Sequence, residues 1–115
     1  VIIGFVRGTG KTYKTGKAKG LEHIEIWIDK EHADTLPVIK DDASPIQLLF
    51  GNKRYTAKLR HTSRNKYVWI SPDMVDDETQ EKTKMAFVLK NEGFYKNQAI
   101  GLRIRGSVMT VTSTN

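Results

Sequence analysis

The chain has 115 residues, 38% of them hydrophobic, with two tryptophans and no cysteine. That is enough for one domain with a modest core, and it leaves no disulfide framework and no cysteine-ligated zinc site. Its net charge of +6 favours polyanions over polycations as partners, and no apolar run approaches the length of a membrane span.

In chain order, Val1 to Val6 reads as a buried strand, a short apolar run ended by Gly8 and Gly10. The stretch that follows contains GTGKT, the tail of a phosphate-loop pattern. The position for the first glycine holds Phe5, however, and two further glycines, Gly16 and Gly20, stand where a helix would have to begin. Residues 9 to 22 read instead as a glycine- and lysine-rich excursion with too few apolar residues to pack. Ile24, Ile26 and Ile28 then alternate with Glu25, Trp27 and Asp29, the period of a strand. Lys30 to Leu36 suits a short helix with Asp29 as N-cap and Pro37 as its stop.

After a turn at Asp41 to Pro45, IQLLFGNKRYTAKLRHT reads as a hairpin bending at Gly51-Asn52, and KYVWIS as another strand. DMVDDETQEKTKMAFVLKNEGF carries acids first and lysines later, as a helix dipole favours, with Gly93 as the stop. AIGLRIRG and SVMTVTST close the chain as a hairpin turning at Gly106-Ser107. So many short strands with two helices imply a closed or nearly closed barrel, because that many exposed edges would be a liability. Trp27, Trp69, Phe50 and Phe87, which sit in strand or helix patterns, are assigned to the core.

Charge is unevenly spread. Arg7, Lys11, Lys14, Lys17 and Lys19 open the chain against one acid, Glu22, and the bases from Lys53 to Lys66 meet no acid at all. The acids collect around Asp29 to Asp42 and around Asp73 to Glu81. Each basic block is mixed with Tyr, His, Thr, Ser or Asn, which points to a nucleic-acid surface rather than to solvated faces alone.

The order of elements resembles the B-three DNA-binding domain, a pseudobarrel found in plant transcription factors and, in related form, in the recognition domains of some bacterial restriction endonucleases. The residues that carry the resemblance are IEIWIDKEHADTLPV, RYTAKLRHTSRNKYVWIS and AFVLKNEGFYKNQAIGLRIRGSVMTV. The family's Ile-Pro-Lys-type start is Ile28-Asp29-Lys30 here, without the proline, and its Gly-Asp turn is Asn97-Gln98. The resemblance implies a mainly β fold, a seven-stranded open pseudobarrel with two short helices, as one domain over residues 1–115. It also implies two loops on one side of the barrel that grip the major groove of duplex DNA, one at Thr9 to His23 and one at Arg60 to Lys66.

On that basis the DNA-binding residues are Arg7, Lys11, Thr12, Tyr13, Lys14, Lys17, Lys19, His23, Arg60, His61, Thr62, Ser63, Arg64, Asn65 and Lys66. Arg60, Arg64 and Asn65 have the forked or bidentate chemistry that reads base edges. The lysines suit phosphates, for which a flexible point charge suffices.

Catalysis is not expected, since no lysine has an acid two positions before it, as a restriction-type nuclease needs, and the histidines lack metal-ligand spacing. No cofactor or metal is expected either. The expected function is sequence-specific binding of double-stranded DNA, as the recognition domain of a restriction endonuclease whose catalytic domain is attached or associated. The chain begins at Val1 rather than methionine, in keeping with a piece of a larger protein. The expected location is the bacterial cytoplasm, away from membranes. Two alternatives stand beside this one: a small RNA-binding or ribosome-associated β-barrel, and a plant-type transcription-factor domain in the nucleus.

Overall fold

Alternating apolar residues place one face of almost every strand in a common interior. The structure, a computed structural model, describes residues 1–36, 43–61 and 67–113. Its strands are β1 (Ile2–Thr12), β2 (Glu22–Asp29), β3 (Ala43–Phe50), β4 (Lys53–Arg60), β5 (Tyr67–Ile70), β6 (Asp73–Asp76), β7 (Lys82–Lys84), β8 (Ala99–Arg105) and β9 (Val108–Ser113). A 3₁₀ turn spans Lys30–Thr35, and one α-helix, α1, spans Met85–Asn91.

Seven strands close on themselves in the order β3-β9-β8-β1-β2-β5-β4, with β4 pairing back to β3. The ring is therefore a closed barrel rather than an open one. The closing contact is the full antiparallel register from Ala43↔Arg60 to Phe50↔Lys53, and β3 meets β9 in parallel at Gln47↔Val108 to Leu49↔Thr110. Ile26, Ile28, Leu48, Leu59, Ile70, Ile100 and Leu102 fill the interior with no exposure. α1 adds Met85, Val88 and Leu89 to the same core, packing against β2 and β7.

Both expected hairpin turns have two residues with glycine first, Gly51 and Gly106, each at φ 59°. Glycine in that place is what a type II′ turn requires.

Two helices were expected, and the described residues hold one α-helix and one 3₁₀ turn. Asp29 does act at the start of the turn, where its Oδ1 accepts the Glu31 N–H at 3.1 Å. The expected stop, Pro37, lies outside the described residues.

The long acidic-then-basic segment departs most from expectation. Its first half is the hairpin β6–β7, hung on β4 through Tyr55↔Asp76. The Asp76 carboxylate accepts the N–H groups of Glu78 and Thr79, and Gln80 takes φ 62°, which makes a tight turn. Acids and lysines separated along the chain thus face each other across the hairpin, with Asp73↔Lys84 paired in register and joined by an ion pair. Helical spacing of apolar residues begins only at Met85, Val88 and Leu89, and there the helix forms. It ends as expected at Gly93, φ 83°. The Gly93 and Phe94 N–H groups bond the Lys90 and Leu89 carbonyls, the paired bonds of a Schellman stop.

Candidate nucleic-acid interface

The GTGKT stretch is strand. β1 continues through it to Thr12, paired with β2 at Gly8↔Ile24 and Thr12↔Glu22 with a bulge between. Backbone pairing needs no apolar side chain, so the strand outlasts its apolar run. The Gly10 N–H, a group that a phosphate would take, donates instead to Glu22 Oε2 at 2.9 Å. Lys96 Nζ lies 2.9 Å from the other Glu22 oxygen. The hydrogen bond from Lys96, then that from Gly10, hold the Glu22 carboxyl below the ordinary glutamate range.

Beyond Thr12 the chain makes a closed tip rather than a loose excursion. Tyr13 N–H bonds Leu21 O, Gly20 N–H bonds Tyr13 O, and Leu21 N–H bonds Ala18 O, each at 2.9 Å. Ala18 is buried, and Tyr13 and Leu21 pack against the core. Gly16 and Gly20 sit at φ 77° and 85°, conformations that let so short a tip reverse twice. Lys11, Thr12, Lys14, Lys17 and Lys19 are all exposed. The tip is a hydrogen-bonded lysine hairpin with no acid between Thr9 and Leu21.

Tyr13 lies flat on His23, ring centroids 3.8 Å apart and planes 14° from parallel, with Lys84 Nζ 5.4 Å from the tyrosine ring. Its hydroxyl is buried without a partner. Burial, then the charges of Asp73 and Glu25, push the Tyr13 pKa up.

The second basic block is only partly as the sequence suggested. Lys53 meets Asp76 at 3.7 Å and Glu78 at 3.9 Å, acids that lie far off in sequence. Arg54 donates to Gln47, whose amide donates to Asp77. Lys58 and Arg60 stand exposed on the outer side of β4, and among the described residues no ion pair engages either. His61 is half-buried, with Nε2 enclosed and unpartnered. Thr62, Ser63, Arg64, Asn65 and Lys66 lie outside the described residues.

The register relates the two blocks. Thr12 is level with Glu22 at the start of β2, whereas Arg60 is level with Trp69, and Trp69 with Trp27, near its end. Five residue steps along β2 separate these levels, about 17 Å at a rise of about 3.4 Å per residue. The hairpin and the described flank of the second block do not share a rim. They bracket the outer face of β2 and β5 from opposite ends, and Arg7, bonded to Asn97 Oδ1 at 3.2 Å, lies on β1 beside that face.

The aromatic content of this face was missed. Phe50 is in the core as expected, but Trp27, Trp69 and Phe87 are only half-buried and stand outside it. The signal was present in the alternation itself: if Ile24, Ile26 and Ile28 face in, Trp27 must face out.

At the hairpin end of the barrel, an open groove of about 920 Å³ lies between the tip, β6–β7 and α1. Its lining includes Tyr55, Phe87 and Val88, the bases Lys17, Lys53, Lys82 and Lys84, and the acids Asp76, Glu81 and Glu92. Among the described residues no three His, Asp or Glu side chains are grouped to hold a metal ion, and no helix is long and apolar enough to cross a membrane. Compared with family models, with curated proteins and with solved structures, the chain matches none of them.

Proposed function

We propose that this chain binds double-stranded DNA, with the lysine hairpin and the Arg60 end of β4 contacting the duplex from either side of the outer β2–β5 face. The observation that carries this is the hairpin: Lys11, Lys14, Lys17 and Lys19 on a closed, hydrogen-bonded tip, with Glu22 tied to Gly10 and Lys96 rather than to them. A two-stranded ribbon is one of the few elements that the major groove, about 12 Å wide, admits. Lysines held on such a ribbon neutralise phosphates without first having to order a loop. Sequence-specific reading by Arg60, Arg64 and Asn65, and a place as the recognition domain of a restriction endonuclease, have the resemblance and the side-chain chemistry as their support.

The test is fluorescence anisotropy with a labelled random duplex across a salt series. Tight binding at low salt that weakens steeply towards physiological salt is the expected result. Absence of duplex binding at low salt, or binding indifferent to salt, overturns the proposal.

A further inference from the structure

Phe5, Trp27, Trp69 and Arg60 stand at one level on four neighbouring strands, each the register partner of the next. All face away from the core, because the residues beside them, among them Val6, Ile26, Ile28, Leu59, Val68 and Ile70, are the buried ones. Tyr67, on the same side of β5 and 36% exposed, has its ring centroid 5.2 Å from that of Trp27 at an interplanar angle of 37°. The row is held in place: the Trp27 indole N–H donates to Glu25 at 3.0 Å, and the Arg7 guanidinium lies over Phe5, 5.0 Å from its centroid. The outer side of a strand is ordinarily polar, and the polar remainder of β2 follows that rule. Four aromatic rings across three adjacent strands, with an arginine at each edge, make a surface that the barrel's own packing does not require.

We propose that this row is a stacking platform for the unpaired bases of a single-stranded nucleic acid. Flat rings half open to solvent offer their faces to any base, which is why such platforms tolerate sequence. Arg7 and Arg60 at the two edges supply charge for the phosphates that flank a stacked base. Of the two acids on this part of β2, Glu25 accepts the Trp27 N–H and Asp29 accepts the Glu31 N–H. A protein partner would also be served by aromatics, but a chain of net charge +6 with arginines bounding the row suits a polyanion that carries flat apolar groups. The platform is separate from the lysine hairpin and stands whether or not the duplex reading does.

Four labelled probes test it: short oligo-dT, short oligo-U, an abasic strand of the same length and a duplex, read by anisotropy and by tryptophan fluorescence. The base-bearing strands are expected to quench the tryptophans and to bind roughly 5- to 150-fold more tightly than the abasic strand, the range that stacking of one base gives. Preference for dT identifies DNA as the source and preference for U identifies RNA, and either supports the platform. Trp69→Leu should lose affinity for the strands by a similar factor while Trp69→Phe keeps most of it, with the circular dichroism spectrum and urea midpoint of both variants as the check on folding. Equal binding of abasic and base-bearing strands by the unmodified protein, or strand binding without quenching, overturns the proposal without any variant. Strand binding with no duplex binding overturns the duplex reading alone.

Discussion

The Glu22 carboxylate accepts the Gly10 N–H at 2.9 Å and so ties the root of the lysine hairpin to the start of β2. Gly8 makes room for it, since a Cβ there would stand 2.0 Å from Glu22 Oε2 and 2.8 Å from Lys96 Cε. Carboxylate, backbone amide and lysine form one clasp at the root of the basic tip.

Gly8→Ala is therefore expected to push Glu22 out of the clasp and loosen residues 9–21. Hydrogen exchange of the tip amides should quicken, and trypsin should cut sooner after Lys14, Lys17 and Lys19. Unchanged exchange and cleavage would show that the tip stands without the clasp.

Acid should have the same effect as the substitution. A carboxyl whose folded pKa is depressed stabilises the fold fully above its unfolded value and loses that contribution as pH falls through the folded value. For Glu22 the window opens near pH 4, the ordinary glutamate range, and extends below it. Tip protection in the unmodified chain should fall through that window, whereas Glu22→Gln should start lower and respond less to pH. Exchange rates measured in a pH series, corrected for intrinsic rates, decide the matter.

The two basic blocks are expected to differ in what they contribute. Lys14→Ala or Lys17→Ala should weaken preferred and random duplexes alike and reduce the slope of log K against log salt by about one each. Arg64→Ala or Asn65→Ala, which follow from side-chain chemistry alone, should cost about 1–3 kcal/mol on the preferred sequence and much less on random DNA. A selection from random duplexes, followed by titration of each variant, would reverse this division if the lysine variants lost discrimination and the Arg64 and Asn65 variants did not.

Tyr13→Phe removes a hydroxyl that is buried without a partner while keeping the ring that stacks on His23. An unsatisfied buried polar group costs about 1–3 kcal/mol. The substitution should leave the urea midpoint unchanged or raise it, and a clear fall would mean that the hydroxyl has a partner.

Gly93→Ala forces a Cβ into a left-handed position, φ 83°, at the helix stop. With open space around it, the cost is one of backbone strain rather than of collision, about 1 kcal/mol. A urea or thermal melt would show the loss.

Local chemistry made much of this molecule legible. The alternation of Ile24, Ile26 and Ile28 marked β2, glycine-first turns marked both hairpins, and Gly93 marked the end of α1, because turn geometry and strand period depend on residues next to each other in the chain. Clustering of lysines in the opening stretch likewise followed from the order of residues. What the tertiary structure decided depends on residues far apart. β3 beside β9 in parallel, and β3 against β4 along its length, close the ring, and no local pattern encodes the first of these. The acids of residues 73–81 became hairpin and salt-bridge partners because Asp73 found Lys84, and Asp76 found Lys53, across strands. GTGKT became strand because β2 supplied a pairing edge to a segment with no apolar run of its own. The outer row of Phe5, Trp27 and Trp69 was written in the alternation of each strand, but only the register of β1, β2 and β5 brings the three to one level. Register is a property of paired strands, and a single strand read alone does not contain it.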